Sequence, residues 1–332
     1  MSRRGASIRV MRAIVYQRYG SPDVLTLEEI EKPVPSADEV LIKVRTASVN
    51  PYDWHFMRGE PYPLRLMAGL GRPKNPRLGA DVAGEVEAVG KNIARLKPGD
   101  EVFGTCQGSF AEYACGSESR LAIKPDNVTF EQAASVAIAA MTALQGLRDK
   151  GHIQTGHRVL VNGAAGGVGT FAVQIAKTFG AQVTGVCSTK KVETVRSIGA
   201  DHVVDYTRED LTRSGEHYDI ILDCVGNHSL TACGRVMSPK GIYVAAGGKA
   251  GRWMVGVLIS MITSRVMSFG GRKFLPLLAN INKDDLALVG DLIATGKVTP
   301  IIDRRYQLSE TADAIRYLEE GHARGKVVIS CS

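Results

Sequence analysis

The front of the chain alternates apolar and polar residues, which is the pattern of half-buried β-strands. Prolines and glycines separate the runs, as expected for turns between strands. The runs span residues 12–17, 39–49, 81–90 and 100–105. The pattern predicts a domain rich in strands and loops over roughly the first 130 residues.

The pattern changes near residue 131. The alanine-rich stretch Glu131 to Leu147 predicts a helix, and short apolar strands then alternate with helices. We predict strands at 158–162, 182–187, 202–206, 218–226 and 241–248, with helices near 168–179 and 190–198. Helices near 283–295 and 309–320 and a strand at 326–330 follow. Alternation of this kind is typical of a parallel sheet covered by helices on both faces, so the fold class is α/β.

Length and composition fit a globular protein of two domains, with 332 residues, 44% apolar and 23% charged. The six cysteines include no CxxC pair, which argues against a disulfide framework or a structural zinc lobe. The net charge of +7 is spread along the chain. Nucleic-acid binding is therefore not predicted, although anionic ligands are favoured.

Two stretches bear on location. Residues 1–10 lack a long apolar core, so we expect a flexible basic extension rather than a secretory signal. Residues 253–269 are apolar but are interrupted by Arg265, and about 20 apolar residues are needed to span a bilayer. We predict a cytoplasmic protein without stable membrane insertion.

The most informative stretch is VLVNGAAGGVGTFAVQIAKTFGA, residues 159–181. An apolar strand runs into a loop of small residues and then into an amphipathic helix, which is the setting of a dinucleotide-binding loop. Glycines in the loop let the backbone approach a pyrophosphate, and the helix N-terminus favours its charge. The predicted binding residues are Ala165, Gly166, Gly167, Val168 and Gly169. A glycine-rich turn without a ligand is the alternative.

The end of the next strand indicates which nicotinamide cofactor is used. Strands that select NADH usually end there in Asp or Glu, which binds the ribose hydroxyl. This chain has Ser188, Lys190 and Lys191 instead, and Tyr206 ends the following strand. A hydroxyl, two ammonium groups and a phenol can hold a 2′-phosphate, so NADPH is predicted. The alternative for the lysines is a solvated helix start.

With these features in place, the chain resembles the medium-chain dehydrogenase/reductase superfamily, and within it the quinone oxidoreductase and zeta-crystallin branch. The resemblance covers residues 11 to 330, and no single block would be specific alone. The blocks are 48–59, 79–90, 96–104, 108–113, the glycine loop, 198–206 and 325–329.

The resemblance implies a GroES-like catalytic domain over 11–130 and 271–332. It also implies an inserted Rossmann NADPH-binding domain over 131–270, with the active site between the two. Later strand ends should line the cofactor cleft. The residues concerned are Cys224, Val225, Gly226, Ala246, Gly247 and Gly248. Lys326 resembles a lysine of the family's penultimate strand, with a surface charge as the alternative.

The positions that bind zinc in metal-dependent relatives match Asn50, Ala80 and Ile138 in this sequence. These side chains cannot form a tetrahedral site of nitrogen and sulfur ligands, so no metal is predicted. Without a Lewis acid, the protein must orient the acceptor and polarise it by hydrogen bonds.

The resemblance places Asn50 and Asp53 in the active-site loop. A tyrosine found in several quinone reductases aligns with His55, three residues after Tyr52. His55 could donate a proton or simply line the cleft. Thr142 matches a threonine near the nicotinamide, with helix packing as its alternative.

The predicted function is NADPH-dependent hydride transfer to a quinone or a conjugated carbonyl, with a small hydrophobic molecule as acceptor. The alternatives are an enoyl-type alkene reductase and a non-catalytic NADPH-binding protein of crystallin type. The family likeness also suggests a homodimer in which two Rossmann sheets pair at their edges, through residues 241–248 and the segment after them.

Overall fold

The computed structural model describes residues 9–247 and 271–331. The strands are β1 Val10–Val15, β2 Thr26–Glu31, β3 Glu39–Val49, β4 Asp81–Val89, β5 Glu101–Thr105, β6 Tyr113–Ser117, β7 Leu121–Ile123, β8 Arg158–Asn162, β9 Gln182–Cys187, β10 His202–Asp205, β11 Tyr218–Asp223, β12 Met237–Ala245, β13 Lys273–Pro276, β14 Ile302–Gln307 and β15 Lys326–Ser330. The α-helices are α1 Pro51–Arg58, α2 Arg65–Ala68, α3 Phe130–Ala134, α4 Ala137–Gln145, α5 Gly167–Thr178, α6 Val192–Ser197, α7 Leu230–Arg235, α8 Lys283–Ala294 and α9 Thr311–Glu319. None of these helices combines the length and apolarity needed to cross a bilayer.

One sheet draws its strands from both halves of the chain. Its order is β14-β15-β3-β4-β5-β7, and β6 also pairs with β3. Strand β15 lies antiparallel beside β3, with Val327 opposite Val49 and Ser330 opposite Thr46. The late segment 326–330 is therefore an inner strand of the sheet that the first half of the chain begins.

The second sheet is parallel and has the order β10-β9-β8-β11-β12-β13. The order reverses between β8 and β11, and ligands of such sheets bind outside the carboxyl ends of the strands at that point. Asn162 and Asp223 end these two strands and lie directly opposite each other. The topology thus places a crevice at these two residues.

The two sheets share a core. Helices α3, α4 and α8 place side chains such as Met141 and Leu286 in one buried cluster that includes Phe103 of the mixed sheet and Val161 of the parallel sheet. Burial of this apolar surface favours a fixed arrangement of the two sheets, with the crevice between them.

The predicted α/β fold class is confirmed, with a mixed sheet rich in loops and a Rossmann-type parallel sheet. The predicted strands at 39–49, 158–162, 182–187 and 326–330 have the observed bounds. These segments are buried along most of their length, as expected for inner strands covered on both faces, and they read in the sequence as short apolar runs.

Several predicted boundaries need correction. Val10 belongs to β1 and pairs with Glu31, so the extension predicted to reach residue 10 ends earlier. The helix predicted from 131 to 147 is divided into α3 and α4, and the Ile138 amide in the first turn of α4 donates to Asp81 Oδ1 at 3.0 Å. The catalytic domain was predicted to resume at 271, but β13 pairs with β12 in the parallel sheet.

Strand β13 also changes the basis of the predicted dimer. The segment 241–248 was expected to present a free sheet edge. In the structure β12 is paired on both sides, with β11 and β13, so among the described residues β13 is the edge strand at this end of the sheet. The apolar run 253–269 lies outside the described residues.

Glycine at 169 is required by the packing of α5 against the loop before it. A Cβ there would lie 2.1 Å from Gly163 O and 2.7 Å from Ala164 Cα, both backbone atoms that cannot rotate away. At Gly166, by contrast, a Cβ would meet only Gly163 O, at 3.4 Å.

We therefore expect Gly169→Ala to lower the free energy of unfolding by about 1–3 kcal/mol, the usual cost of overpacking. Gly166→Ala should cost less than half as much, while weakening dinucleotide binding at the loop. Urea unfolding of both variants checks this. Equal destabilisation would show that the contact at 169 is relieved by movement of α5.

Candidate active site

A cleft of about 480 Å³ lies at the crevice between the two sheets. The parallel-sheet part contributes the glycine loop, the ends of β9 and β11, and Tyr206, while the mixed-sheet part contributes the end of β3 and the region around β15. The lining residues are Val49, Asn50, Pro51, Ala139, Asn162, Gly163, Ala165, Gly166, Gly167, Val168, Gly169, Val186, Cys187, Ser188, Lys191, Tyr206, Cys224, Val225, Asn227, Leu318, Gly321, Ala323, Gly325 and Lys326.

The glycine loop has the shape that a dinucleotide needs. Gly163 has a φ of 84°, a left-handed conformation that favours glycine, and Gly166 precedes the first residue of α5. The Gly166 amide donates to Gly163 O at 3.0 Å, which closes the turn. Open space at Gly166 leaves the backbone accessible, and α5 points its N-terminus to the cleft. These residues fit a pyrophosphate.

A buried polar cluster forms the other wall of the cleft. Lys326 Nζ donates to Asn50 Oδ1 at 2.5 Å and to Asp81 Oδ2 at 3.3 Å. Asn50 Nδ2 and Ser48 Oγ donate to the same Asp81 oxygen at 2.9 and 2.8 Å. Lys326 and Asp81 are 3% and 0% exposed, so the alternative of a surface lysine is wrong. We call Ser48, Asn50, Asp81 and Lys326 the lysine cluster.

The lysine cluster leaves little hydrogen-bonding capacity on Asn50. Its oxygen accepts from Lys326, and its amide group donates to Asp81 and, at 3.3 Å, to Ser48 O. Lys326 has three ammonium hydrogens and donates to two acceptors within the described residues. Of these two side chains, Lys326 is thus the one with a donor to spare toward the cleft.

Asp53 does not line the cleft. It sits in the first turn of α1 and is 0% exposed, and its Oδ2 accepts a hydrogen bond from the backbone amide of Asn50 at 2.7 Å. Burial raises the pKa of Asp53 to about 7, and the charge of Asp81 adds to the effect. The predicted active-site loop is therefore a helix whose N-terminus Asn50 and Asp53 cap.

The other predicted catalytic side chains do not line this cleft. His55 is buried, its ring stacks on Trp54, and its Nδ1 lies 2.8 Å from Glu60 O. Burial lowers the pKa of His55. Tyr52 is 45% exposed and packs on Phe56. Thr142 is buried, and its hydroxyl donates to Ile138 O within α4.

Most of the predicted cofactor residues do line the cleft. The exceptions are Lys190, which is exposed, and Gly226, Ala246 and Gly247, while Gly248 lies outside the described residues. Lys191 is not a free solvated cation, because its Nζ donates to Ala323 O at 2.9 Å on the opposite wall. Burial lowers the pKa of Lys191.

A second polar network, which was not predicted, lies at the topological switch between β8 and β11. Asp223 Oδ1 accepts from Asn162 Nδ2 at 2.9 Å and from the amides of Val225 and Gly226, and its Oδ2 accepts from Tyr243. Asn162 also donates to Asn227 at 2.8 Å. The available signal was that Asn162 and Asp223 end adjacent parallel strands.

Among the described residues, no group of three or more His, Cys, Asp or Glu side chains is arranged to hold a metal ion. At the three positions matched to zinc ligands, Asn50 belongs to the lysine cluster, Ala80 is buried and apolar, and Ile138 offers its backbone amide to Asp81.

Comparisons with known proteins agree with this architecture. The alcohol dehydrogenase GroES-like domain family matches residues 36–126, and the zinc-binding dehydrogenase family matches residues 198–329. An NADPH-dependent alkenal/one oxidoreductase, chloroplastic, of Arabidopsis thaliana is 37% identical over 335 residues, covering 96% of this chain and 79% of that protein. A 2-methylene-furan-3-one reductase of Solanum lycopersicum is 35% identical, covering 96% and 79%.

A solved structure has the same fold throughout. The quinone oxidoreductase from Coxiella burnetii superposes with a TM-score of 0.86 and 30% sequence identity, covering 97% of this chain and 99% of that one. A fold of two such sheets with a glycine loop in the cleft between them defines a two-domain dehydrogenase or reductase. The chain belongs to the medium-chain dehydrogenase/reductase superfamily, in its quinone oxidoreductase-like branch, and is an oxidoreductase.

The raised pKa of Asp53 predicts a pH-dependent stability. An unfolded aspartate has a pKa of about 3.9, so between about pH 4 and 7 the folded protein holds a proton that the unfolded chain releases. This contribution to stability is fully present below about pH 4 and is lost as the pH rises through 7. Asp53→Asn keeps an oxygen acceptor for the backbone amide of Asn50 but does not titrate.

The free energy of unfolding of Asp53→Asn, relative to that of the parent protein, should therefore be higher at pH 8 than at pH 5, by on the order of 1–4 kcal/mol. Urea unfolding at the two pH values measures this, with Glu320→Gln at an exposed position as control. An equal difference at both pH values would show that Asp53 is ionised throughout.

Proposed function

We propose that the protein is an NADPH-dependent reductase that transfers a hydride to a quinone or to a conjugated carbonyl such as an enal or enone. The observation that carries the proposal is the cleft in which the glycine loop faces the lysine cluster. The names of the similar proteins support the same acceptor classes.

The chain's own residues divide the work along the cleft. The loop 165–169 and the N-terminus of α5 would hold the pyrophosphate, and Ser188, Lys191 and Tyr206 would hold the 2′-phosphate end. When bound, NADPH supplies the hydride. The lysine cluster places a buried positive charge beside the cleft, where it would stabilise negative charge that develops on an acceptor oxygen.

The preference for NADPH over NADH rests on the residues that follow β9. Residues 188–191 include no Asp or Glu that would bind the ribose hydroxyl of NADH. Tyr206 is 57% exposed beside the same part of the cleft, so its phenol is accessible to a ligand. The ammonium group of Lys191 donates one hydrogen bond to Ala323 O, so it would bind a 2′-phosphate with its remaining hydrogens. We propose that Lys190 contributes long-range attraction rather than a direct contact.

We further propose that the reaction needs no zinc. Asn50, Ala80 and Ile138 offer no set of nitrogen or sulfur ligands, and both the oxygen and the amide group of Asn50 are already hydrogen-bonded within the lysine cluster. Quinones and conjugated carbonyls accept hydride readily, so a hydrogen-bonding cation is an adequate substitute for a Lewis acid.

The alternative enzyme activity is reduction of an activated alkene of enoyl type, and the Solanum lycopersicum relative named above favours keeping it. A non-catalytic NADPH-binding role is the alternative outside enzymes. We infer in addition a homodimer that uses the edge of the parallel sheet at β13, and a cytoplasmic location.

Turnover by the metal-free protein tests this function. Chelator-washed protein at nanomolar concentration should accelerate NADPH oxidation by a quinone, an enal or an enone, and elemental analysis should find no stoichiometric zinc. Protein heated until it unfolds serves as the blank. Tight NADPH binding without turnover of any acceptor would favour the non-catalytic alternative, and activity restored only by zinc would contradict the proposal.

Cofactor selection has its own test. Lys190→Ala/Lys191→Ala should weaken NADPH binding by about 1–3 kcal/mol, the range for bonds to a charged group, and leave NADH nearly unchanged. Fluorescence titration with both cofactors measures this, with the exposed Lys240→Ala as a matched control. Equal losses for the two cofactors would show that the lysines act through the contact between Lys191 and Ala323.

A further inference from the structure

An exposed group of apolar side chains lies on the segment that includes α2. Tyr62, Leu66, Met67 and Leu70 are 70–72% exposed. Single exposed apolar side chains are ordinary on protein surfaces, but four within nine residues form a patch that marks an interaction surface. We call these four residues the apolar ridge.

The apolar ridge is held outward by the fold around it. Tyr19 Oη donates to Gly69 O at 2.6 Å, and the Lys74 amide donates to Ala68 O at 2.7 Å. The Arg65 guanidinium lies 4.5 Å from the ring centre of Tyr19 and 4.8 Å from that of Tyr62, and it donates to Gly59 O. The exposure of the ridge therefore comes from a braced loop rather than from a frayed one.

Positive charge follows the apolar ridge along the chain. The sequence has no Asp or Glu between Glu60 and Asp81. Arg72 and Lys74 are exposed there, and no ion pair among the described residues includes either of them. Arg18, next to the bracing Tyr19, is exposed as well.

We propose that the apolar ridge docks the protein peripherally on an anionic lipid bilayer. Apolar side chains beside cations are the combination that binds the interface of such a membrane, because the side chains enter the headgroup region while the cations meet the lipid phosphates. The inference does not rest on the proposed function, since it uses neither the cleft nor the cofactor.

Charge argues against a second copy of the chain as the occupant. A two-fold contact through the ridge would bring Arg72 and Lys74 of both copies to one interface, and the segment carries no carboxylate to pair with them. Nucleic acid would leave the four apolar side chains without a partner. A bilayer with anionic headgroups can bury the apolar ridge and pair its phosphates with Arg72 and Lys74.

The test is sedimentation of the full chain with vesicles of phosphatidylcholine alone or mixed with phosphatidylserine. We expect binding to the mixed vesicles that is at least about tenfold stronger than to phosphatidylcholine and that weakens with salt. Leu66→Ser/Met67→Ser/Leu70→Ser and Arg72→Glu/Lys74→Glu should each lower the partition coefficient by at least about tenfold.

Two matched variants act as controls. Val34→Ser/Leu278→Ser removes equally exposed apolar side chains elsewhere, at 84% and 75% exposure, and Lys91→Glu/Lys97→Glu reverses two exposed cations in another turn. Both should bind vesicles as the parent does. Unchanged NADPH affinity and melting temperature show that a variant is folded. Met67→Trp, which keeps the apolar character, should shift its fluorescence to the blue on mixed vesicles.

Failure of the parent to prefer anionic vesicles would overturn the proposal, as would ridge variants that bind like the controls. Concentration-dependent self-association that the serine variant abolishes, without vesicle binding by the parent, would assign the ridge to a second copy. Normal vesicle binding with a raised Michaelis constant for hydrophobic acceptors would assign it to the acceptor site. Because vesicle binding is measured without acceptor, its failure is distinguishable from failure of the proposed function.

Discussion

The pairing of Lys326 with Asp81 and Asn50 is the interaction on which the rest of the site depends. Both charges are buried, and removal of one partner from such a pair commonly costs about 3–5 kcal/mol because the other charge is left uncompensated. Asp81 also accepts a hydrogen bond from the Ile138 amide in the first turn of α4. One carboxylate thus joins β3, β4 and β15 of the mixed sheet to the helix that leads into the parallel sheet.

The cleft combines two kinds of electrostatic preparation. On one side, backbone amides of the glycine loop and the N-terminus of α5 present positive partial charge without a charged side chain. On the other, a full positive charge is held in place by a neutralising carboxylate. The Asp223 network anchors the carboxyl ends of β8 and β11 between these walls. The lining is therefore largely fixed before any ligand arrives, which lowers the cost of ordering on binding.

Sequence patterns predicted the parts of the fold that depend on local periodicity. The inner strands and α5 follow from runs of apolar residues, and the glycine loop follows from its position between β8 and α5. Strand β13 was missed because four residues of mixed character become a strand only through their pairing with β12. Helix α1 was taken for a loop, since its start depends on a cap formed between Asn50 and Asp53.

In the site as well, features that depend on local sequence were predicted, and features that depend on distant residues were not. Position along the chain indicated Asn50 and the cofactor loop, because both belong to recognisable blocks. The burial of Lys326 and the contact of Lys191 with Ala323 depend on residues more than a hundred positions away, which no local pattern reports. Thr142 and His55 show the converse. Their residue types suit chemistry, but the Thr142 hydroxyl donates to Ile138 O within α4, and His55 Nδ1 lies 2.8 Å from Glu60 O.

The inner position of β15 has a consequence for the order in which the protein folds during synthesis. On the flank opposite β4, strand β3 pairs with β6 over residues 39–43, but residues 46–49 gain their partner only after residues 326–330 have left the ribosome, some 280 residues later. The parallel sheet has all its described strands by residue 276 and can fold as a unit while the mixed sheet still lacks two of its strands. During that interval residues 46–49 of β3 expose unpaired backbone groups on this flank, the kind of edge at which nascent chains associate wrongly.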